Sequence, residues 1–215
     1  LKSLTDTGNA GRFAARYRDR VRFVHGRGWV IWDELRWQQD ATGQIMELAK
    51  ELARTIHKEA AGINDAGISD AVRKHAKASL QAPKLKAMLD LAESEPDLAA
   101  KSLQLDSHDW LLGVANGVVN LKTGKLQAAK RDDMLTLHSS VTFDAKALCP
   151  RFIAFIDQVT GGDKQLANYL QRVVGYALTG LTTEQCLFFL YGKGLNGKST
   201  FLNVIKALVG AELAK

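Results

Sequence analysis

The strongest chemical signal is a short glycine-bearing stretch, GKGLNGKST, from Gly192 to Thr200. It satisfies the spacing G-x-x-x-x-G-K-[ST] through Gly192, Gly197, Lys198 and Ser199. Glycines let the backbone curl until successive N–H groups aim at one phosphate, and a helix starting there adds the positive end of its dipole. Lys198 then has the reach and charge to meet the β- and γ-phosphates of ATP, and the Ser199 hydroxyl can complete a Mg²⁺ shell. Such a loop needs a strand before it and a helix after it. Leu187-Phe188-Phe189-Leu190-Tyr191 is a fully apolar run of the kind found in buried parallel strands. Phe201, Leu202, Ile205 and Leu208 then repeat at helical spacing.

A phosphate loop does not hydrolyse ATP alone. It needs an acid on a second strand to hold Mg²⁺ and position water, and commonly an arginine from a neighbouring subunit. After Thr200 the only acid is Glu212. The segment FIAFID ends in Asp157 but precedes the loop, and its spacing fits a helix. The catalytic half is therefore expected to be missing from this chain.

A second cluster lies near the N-terminus. Arg12, Arg16, Arg18, Arg20, Arg22 and Arg27 crowd beside Trp29, Trp32 and Trp37. Basic and aromatic side chains together can track a nucleic-acid backbone and stack bases. In the opposing reading the tryptophans are the core of a small hairpin domain and the arginines a solvated face. The tryptophans are expected in the core, and Arg12, Arg16 and Arg20 are the candidate weak contacts to DNA. The histidines are scattered. Asp106, His108 and Asp109 sit close together without a second histidine or a cysteine nearby, so no metal site is expected.

The elements that must position these residues follow from periodicity. Residues 9–21 read as a helix, with Phe13, Tyr17 and Val21 on one row and Arg12, Arg16 and Arg20 beside it. Residues 23–37 read as a small β-meander turning at Gly26-Gly28 and again at Asp33-Glu34. Three helices follow, over residues 44–59, 69–80 with Ser69 as cap, and from Pro83 to a stop before Pro96. Two short strands, GVVNL and the residues around Leu126, flank the turn Lys122–Lys125. Residues 132–141 give no clear pattern. Helices resume at Pro150, and Asp163 caps one with Leu166, Leu170, Val173 and Ala177 inward and Gly180 as its C-cap.

Composition bounds the rest. The 215 residues are 46% hydrophobic and 24% charged, which is ordinary globular usage and excludes fibrous or disordered classes. A net charge of +6 leans mildly toward a polyanionic partner. No apolar run is long enough to span a membrane, and no signal-peptide core stands at the start. Cys149 and Cys186 form no framework, which favours a cytoplasmic setting. Without an initiating Met, the chain reads as a piece of something longer.

Asn196 ahead of Gly197-Lys198 resembles the loop of superfamily 3 helicases. Upstream, GYALTG (Gly175 to Gly180), NGVVNLKTGKL, LTDTGNAGRF and GWVIWDELRW are similar to phage and plasmid primase–helicases and the poxvirus-type primase–helicase. The resemblance covers nearly the whole chain. It implies a mixed α/β architecture: a helix-rich α+β accessory domain over 1–147, a helical connector over 148–184, and the first strand, P-loop and helix of an AAA+-like ATPase domain over 185–215. It adds Gly194, Asn196 and Thr200 to the nucleotide-binding set of Gly192, Gly197, Lys198 and Ser199, with Lys198 in the catalytic role. The activity implied is ATP-driven DNA unwinding by a homo-hexamer during phage, plasmid or prophage replication in a bacterial host, on single-stranded DNA. The family's primase centre would lie upstream; its acidic strand and arginine finger would lie beyond Lys215. This piece alone is expected to be a monomer or weak oligomer without turnover. The alternative is an inert remnant or domain that binds DNA or a partner.

Overall fold

The computed structural model describes residues 3–194 and 196–210; residues 1–2, Leu195 and residues 211–215, with Glu212 among them, lie outside the described residues. The chain is mixed α/β and forms two compact units. The first comprises residues 1–33 and 37–104, the second residues 34–36 and 105–215. The segment 1–147 thus spans the first unit and the beginning of the second.

In the first unit, α1 (Asp6–Tyr17) starts at Thr5, whose hydroxyl accepts the Gly8 N–H at 3.1 Å. It ends earlier than its apolar row suggests, because Val21 belongs to β1 (Val21–Val24). β1 pairs antiparallel with β2 (Gly28–Trp32), and β2 with β3 (Trp37–Gln39). The hairpin turns on Gly26 and Gly28, both at positive φ. A strand not foreseen in the sequence, β4 (Ala99–Ala100), pairs parallel with β1 and completes the order β3-β2-β1-β4.

Helix α2 (Gln44–Thr55) tightens into a 3-10 turn, Ile56–Ala60. Its cap residue is Gly43 in the left-handed region, which has no side chain to offer. The Asp40 carboxylate substitutes, accepting the N–H groups of Gln44 and Ile45 at 2.9 Å each. Helix α3 (Ala66–Ser79) begins three residues before the expected start at Ser69. Asp65 is its cap, accepting from Gly67 and Ile68, and Ser69 is buried inside the first turn. Carboxylates cap at least as well as serine, and the earlier candidate wins. Helix α4 (Ala82–Ala92) carries Pro83 in its first turn, where a missing N–H costs nothing. The core joins Phe13, Tyr17 and Val21 to Leu48, Leu52, Met88 and Leu98. Trp32 and Trp37 are buried against each other with ring centroids 5.5 Å apart.

The second unit contains an antiparallel sheet of β5 (Leu111–Val114), β6 (Gly117–Asn120) and β7 (Lys125–Gln127). β5 is not among the strands expected from the sequence. Asn120 shapes the β6–β7 turn by accepting the N–H groups of Lys122 and Thr123. Residues 137–141, unpatterned in sequence, run beside β5: Ser139 N–H donates to Gly113 O at 2.8 Å, and Ala115 N–H to Val141 O at 3.1 Å. Gly113 is required there, since a Cβ would stand 2.7 Å from Leu137 O.

Helices α5 (Pro150–Val159), α6 (Lys164–Ala177) and α7 (Lys198–Val209) complete the unit. Asp163 caps α6 as expected, accepting from Gln165 and Leu166. Leu178, not Gly180, ends it; Gly180 instead donates its N–H to Asp109 O at 2.9 Å. The residues expected inward on α6 are not enclosed. Leu166 and Ala177 are exposed, Leu170 and Val173 half-buried.

One further expectation is corrected. Residues 187–191 form no strand, and Leu187, Phe189 and Tyr191 are each more than 80% exposed. No parallel sheet surrounds the loop among the described residues. An apolar strand forms only where neighbours satisfy its N–H and C=O groups, and the described residues supply none. Among the described residues no helix is long and apolar enough to cross a membrane.

Candidate nucleotide-binding loop and basic surface

The loop closes on itself around one ammonium group. Lys198, the first residue of α7, donates from Nζ to Gly192 O at 3.1 Å, Lys193 O at 3.3 Å and Asn196 Oδ1 at 2.6 Å. The charge is thereby held within the curl of the backbone. Gly192 and Gly197 permit the curl. Both have positive φ, and a Cβ on Gly192 would collide with the Asn196 amide. A Cβ on Gly197 would come within 2.6 Å of Val159 and 3.0 Å of Phe155, so the end of the loop rests directly on the apolar side of α5.

Gly197 is also the N-cap of α7 and offers no side-chain acceptor. The leading N–H groups of the helix therefore have no capping side chain, which is the condition under which a helix terminus receives an anion. Ser199 and Thr200 stand exposed on the first turn. Phe201 turns the other way, is buried, and anchors the helix. The donor set suits a polyphosphate: one ammonium, two hydroxyls and a run of N–H groups. For Mg²⁺ the loop offers the Ser199 hydroxyl oxygen. No cluster of three His, Cys, Asp or Glu residues that could hold a metal occurs among the described residues. The ion fits here only as the companion of bound phosphate, whose oxygens and water would complete its octahedron.

The structure separates the three arginines grouped in the sequence. Arg12 is buried; its guanidinium grips Glu59 with two bonds of 2.7 Å and donates to Ser3 O at 2.7 Å. It faces no solvent and cannot contact DNA, so that expectation is corrected. A guanidinium can be enclosed only where a carboxylate matches its fork, and Glu59 does so. Arg16 is exposed, paired with Glu51 at 2.7 Å, and Arg20 is exposed in the turn before β1.

Around Arg12 lies a polar network missed in the sequence reading. Asn9, fully buried, donates from Nδ2 to Ser79 Oγ at 2.9 Å, and its Oδ1 lies 3.0 Å from His75 Nε2. Burial, assisted by the nearby Arg12 charge, pushes the His75 pKa down. The signal was available: Asn9 and Arg12 are polar residues flanking the apolar row of Phe13 and Tyr17, where a helix facing a core carries them only if partnered. The outward face of α3 presents Arg73, Lys74 and Lys77, all exposed.

Residues 10–161 match the family described as D5 N terminal like. The chain belongs to this family. It is the primase–helicase N-terminal family, in keeping with the resemblance noted in the sequence. The family match takes in the first unit from residue 10, the β5–β7 sheet and α5, and stops before the loop at Gly192. Among curated proteins, the chain is 26% identical over 110 residues to the "Putative helicase L207/L206" of Acanthamoeba polyphaga mimivirus, covering 49% of this chain and 11% of that protein. It is 33% identical over 64 residues to the "Uncharacterized mitochondrial protein ymf21" of Marchantia polymorpha, covering 30% of this chain and 36% of that protein. The matches therefore span about a tenth of one relative and about a third of the other.

Proposed function

We propose that this chain is part of an ATP-dependent DNA helicase of the primase–helicase type, acting in the replication of a phage, plasmid or prophage, and that residues 192–200 hold the nucleotide. The observation that carries the reading is Lys198 Nζ, held by the oxygens of Gly192, Lys193 and Asn196 at the uncapped start of α7. When ATP arrives with Mg²⁺, the metal supplies charge neutralisation between the phosphates. Lys198 lies close enough to release a carbonyl and bond phosphate instead, Asn196 keeps the loop closed, and the N–H groups at the start of α7 orient the chain of phosphates. Ser199 offers its hydroxyl to the metal, with Gly192, Gly194, Gly197 and Thr200 completing the cradle.

The complete protein would act as a homo-hexamer on single-stranded DNA, with the 215-residue chain a monomer or weak oligomer. Exposed Arg16 and Arg20 would give weak contact with the strand. A second reading, an inert module that binds DNA or a partner without turnover, is favoured by one observation. No acidic metal cluster and no sheet accompany the loop among the described residues.

Phosphate release distinguishes the two. The 215-residue chain is expected to bind nucleotide weakly and show no turnover. In the complete protein, Lys198→Ala is expected to abolish hydrolysis, and an active variant would refute the loop assignment. For DNA, a labelled oligonucleotide titrated at several salt concentrations should show a log–log slope of about −0.7 per phosphate contact. Binding insensitive to salt would remove the arginines from the reading.

A further inference from the structure

The two ends of α7 are held differently. Its first turn rests on α5 through Gly197, encloses Phe201, and carries the phosphate-facing groups. Its last turn gives a carbonyl to a side chain from outside the helix. Ser139, 1% exposed, donates from Oγ to Leu208 O at 2.6 Å and accepts the Val141 N–H at 3.1 Å. The backbone N–H of Ser139 donates to Gly113 O in β5. Leu208 O is one of the last carbonyls of a helix, which have no partner within the helix itself. Gly210, at φ 81°, ends α7 with its Cα close enough to Ser139 that a Cβ would lie 3.7 Å from the Ser139 Cα. One residue thus ties three things together: its hydroxyl joins the end of α7 to the segment 137–141, and its backbone N–H joins that segment to the β5 edge.

Between these ends α7 does not lie flush on the sheet. A cleft of about 650 Å³ separates them, with Leu112 and Leu137 on one wall and Ile205 and Val209 on the other. Along its length α7 encloses only Phe201, in its first turn, so the contacts at its ends set its position. At about 1.5 Å per residue, α7 is a strut of roughly 18 Å.

We propose that Ser139 is a positioning residue for the nucleotide loop: by pinning the far end of α7 to the β5–β7 sheet, it fixes the angle at which Lys198 and the leading N–H groups meet phosphate. This rests on the nucleotide reading of residues 192–200. A further consequence is that nucleotide held at Lys198 steadies the Val141 amide, at the other end of the strut.

The test uses the whole 215-residue chain, ATP with Mg²⁺ as probe, amide hydrogen exchange and a nucleotide titration. In Ser139→Ala, exchange at Val141 and in the last turn of α7 should quicken, and the Kd for ATP should rise about three- to tenfold, the worth of one buried hydrogen bond. Ser139→Thr, which keeps the hydroxyl, should restore both. In the unaltered chain ATP should slow exchange at Val141, and Lys198→Ala should remove that protection. Unchanged exchange in Ser139→Ala overturns the pin. Quickened exchange with an unchanged Kd overturns the positioning role and leaves a purely structural bond. Should Ser139→Ala fail to fold by circular dichroism, protection of Val141 by ATP in the unaltered chain decides: its presence supports the proposal, its absence overturns it. If the unaltered chain binds no ATP, or binds it equally well as Lys198→Ala, the nucleotide reading fails and the positioning role with it, while the exchange data still judge the pin.

Discussion

The first unit and the C-terminal helices carry equally periodic sequences, yet they reach different states of burial. In the first unit Phe13, Val21, Ala49, Met88 and Leu98 are fully enclosed. Across α5, α6 and α7 only Phe201 is buried, while Ile153, Leu166 and Tyr169 stay exposed. The α5–α7 helices are held by Pro150 at the start of one, by Asp163 at the start of the next, and by a few contacts. Helical period is a property of a segment; burial is a property of its neighbours. The first unit contains the layers its stripes require, and the second presents stripes without a covering layer among the described residues.

That contrast can be broken by substitution. Phe13→Ala should destabilise the first unit by about 3–5 kcal/mol, read as a fall in the urea midpoint, because the enclosed site cannot collapse. Arg12→Ala should cost about 2–3 kcal/mol, below the full cost of breaking a buried pair because Glu59 keeps some contact with water. Arg12→Lys should recover little, since an ammonium cannot reproduce the two-bond grip. Asp40→Ala should cost about 1 kcal/mol by removing the stand-in cap of α2. Leu166→Ser, on a stripe just as regular, should cost under about 0.5 kcal/mol. If Leu166→Ser proves as damaging as Phe13→Ala, the contrast between the two regions is wrong.

Acid sharpens the same contrast. In the fold the His75 pKa is pushed down, foremost by burial and then by the Arg12 charge, which outweigh Asp6 and Glu59. Folding therefore favours neutral imidazole, while the unfolded chain takes up its proton near pH 6.5. The contribution is complete above that value and is lost as pH falls from about 6.5 toward the lowered folded value. Urea midpoints at pH 7.5 and pH 5 should differ in the unaltered chain, and His75→Asn should flatten the difference. An equal slope in the variant would remove His75 from the acid response.

Much of this was legible in the residues. The helices, the β1–β3 meander, the Asp163 cap, the core tryptophans and the helix after the glycine loop all follow from spacing and local chemistry. What was illegible depends on distant partners. β4 is two alanines with no pattern of their own, and they become a strand because β1 lies alongside. Arg12 stands in a row with Arg16 and Arg20, and what distinguishes it is a partner distant in sequence, Glu59 in the turn after α2. Residues 187–191 show the converse: a strand is written in the side chains, but its backbone finds no ladder among the described residues.

The parallel pairing of β1 with β4 also sets a schedule for synthesis. Phe23 lies opposite Ala99, so the sheet edge closes only after everything between them has been made. Joining ends that far apart costs on the order of 4 kcal/mol in chain entropy, which α1, α2 and α4 offset by gathering into their common core first. A nascent chain should therefore hold its N-terminal helix and hairpin in waiting until about residue 100 has left the ribosome, and then complete the unit in one cooperative step. A stall before that point would leave Phe13, Trp29 and Trp37 open to chaperones. A stall after it would release a finished first unit with the phosphate loop still to come.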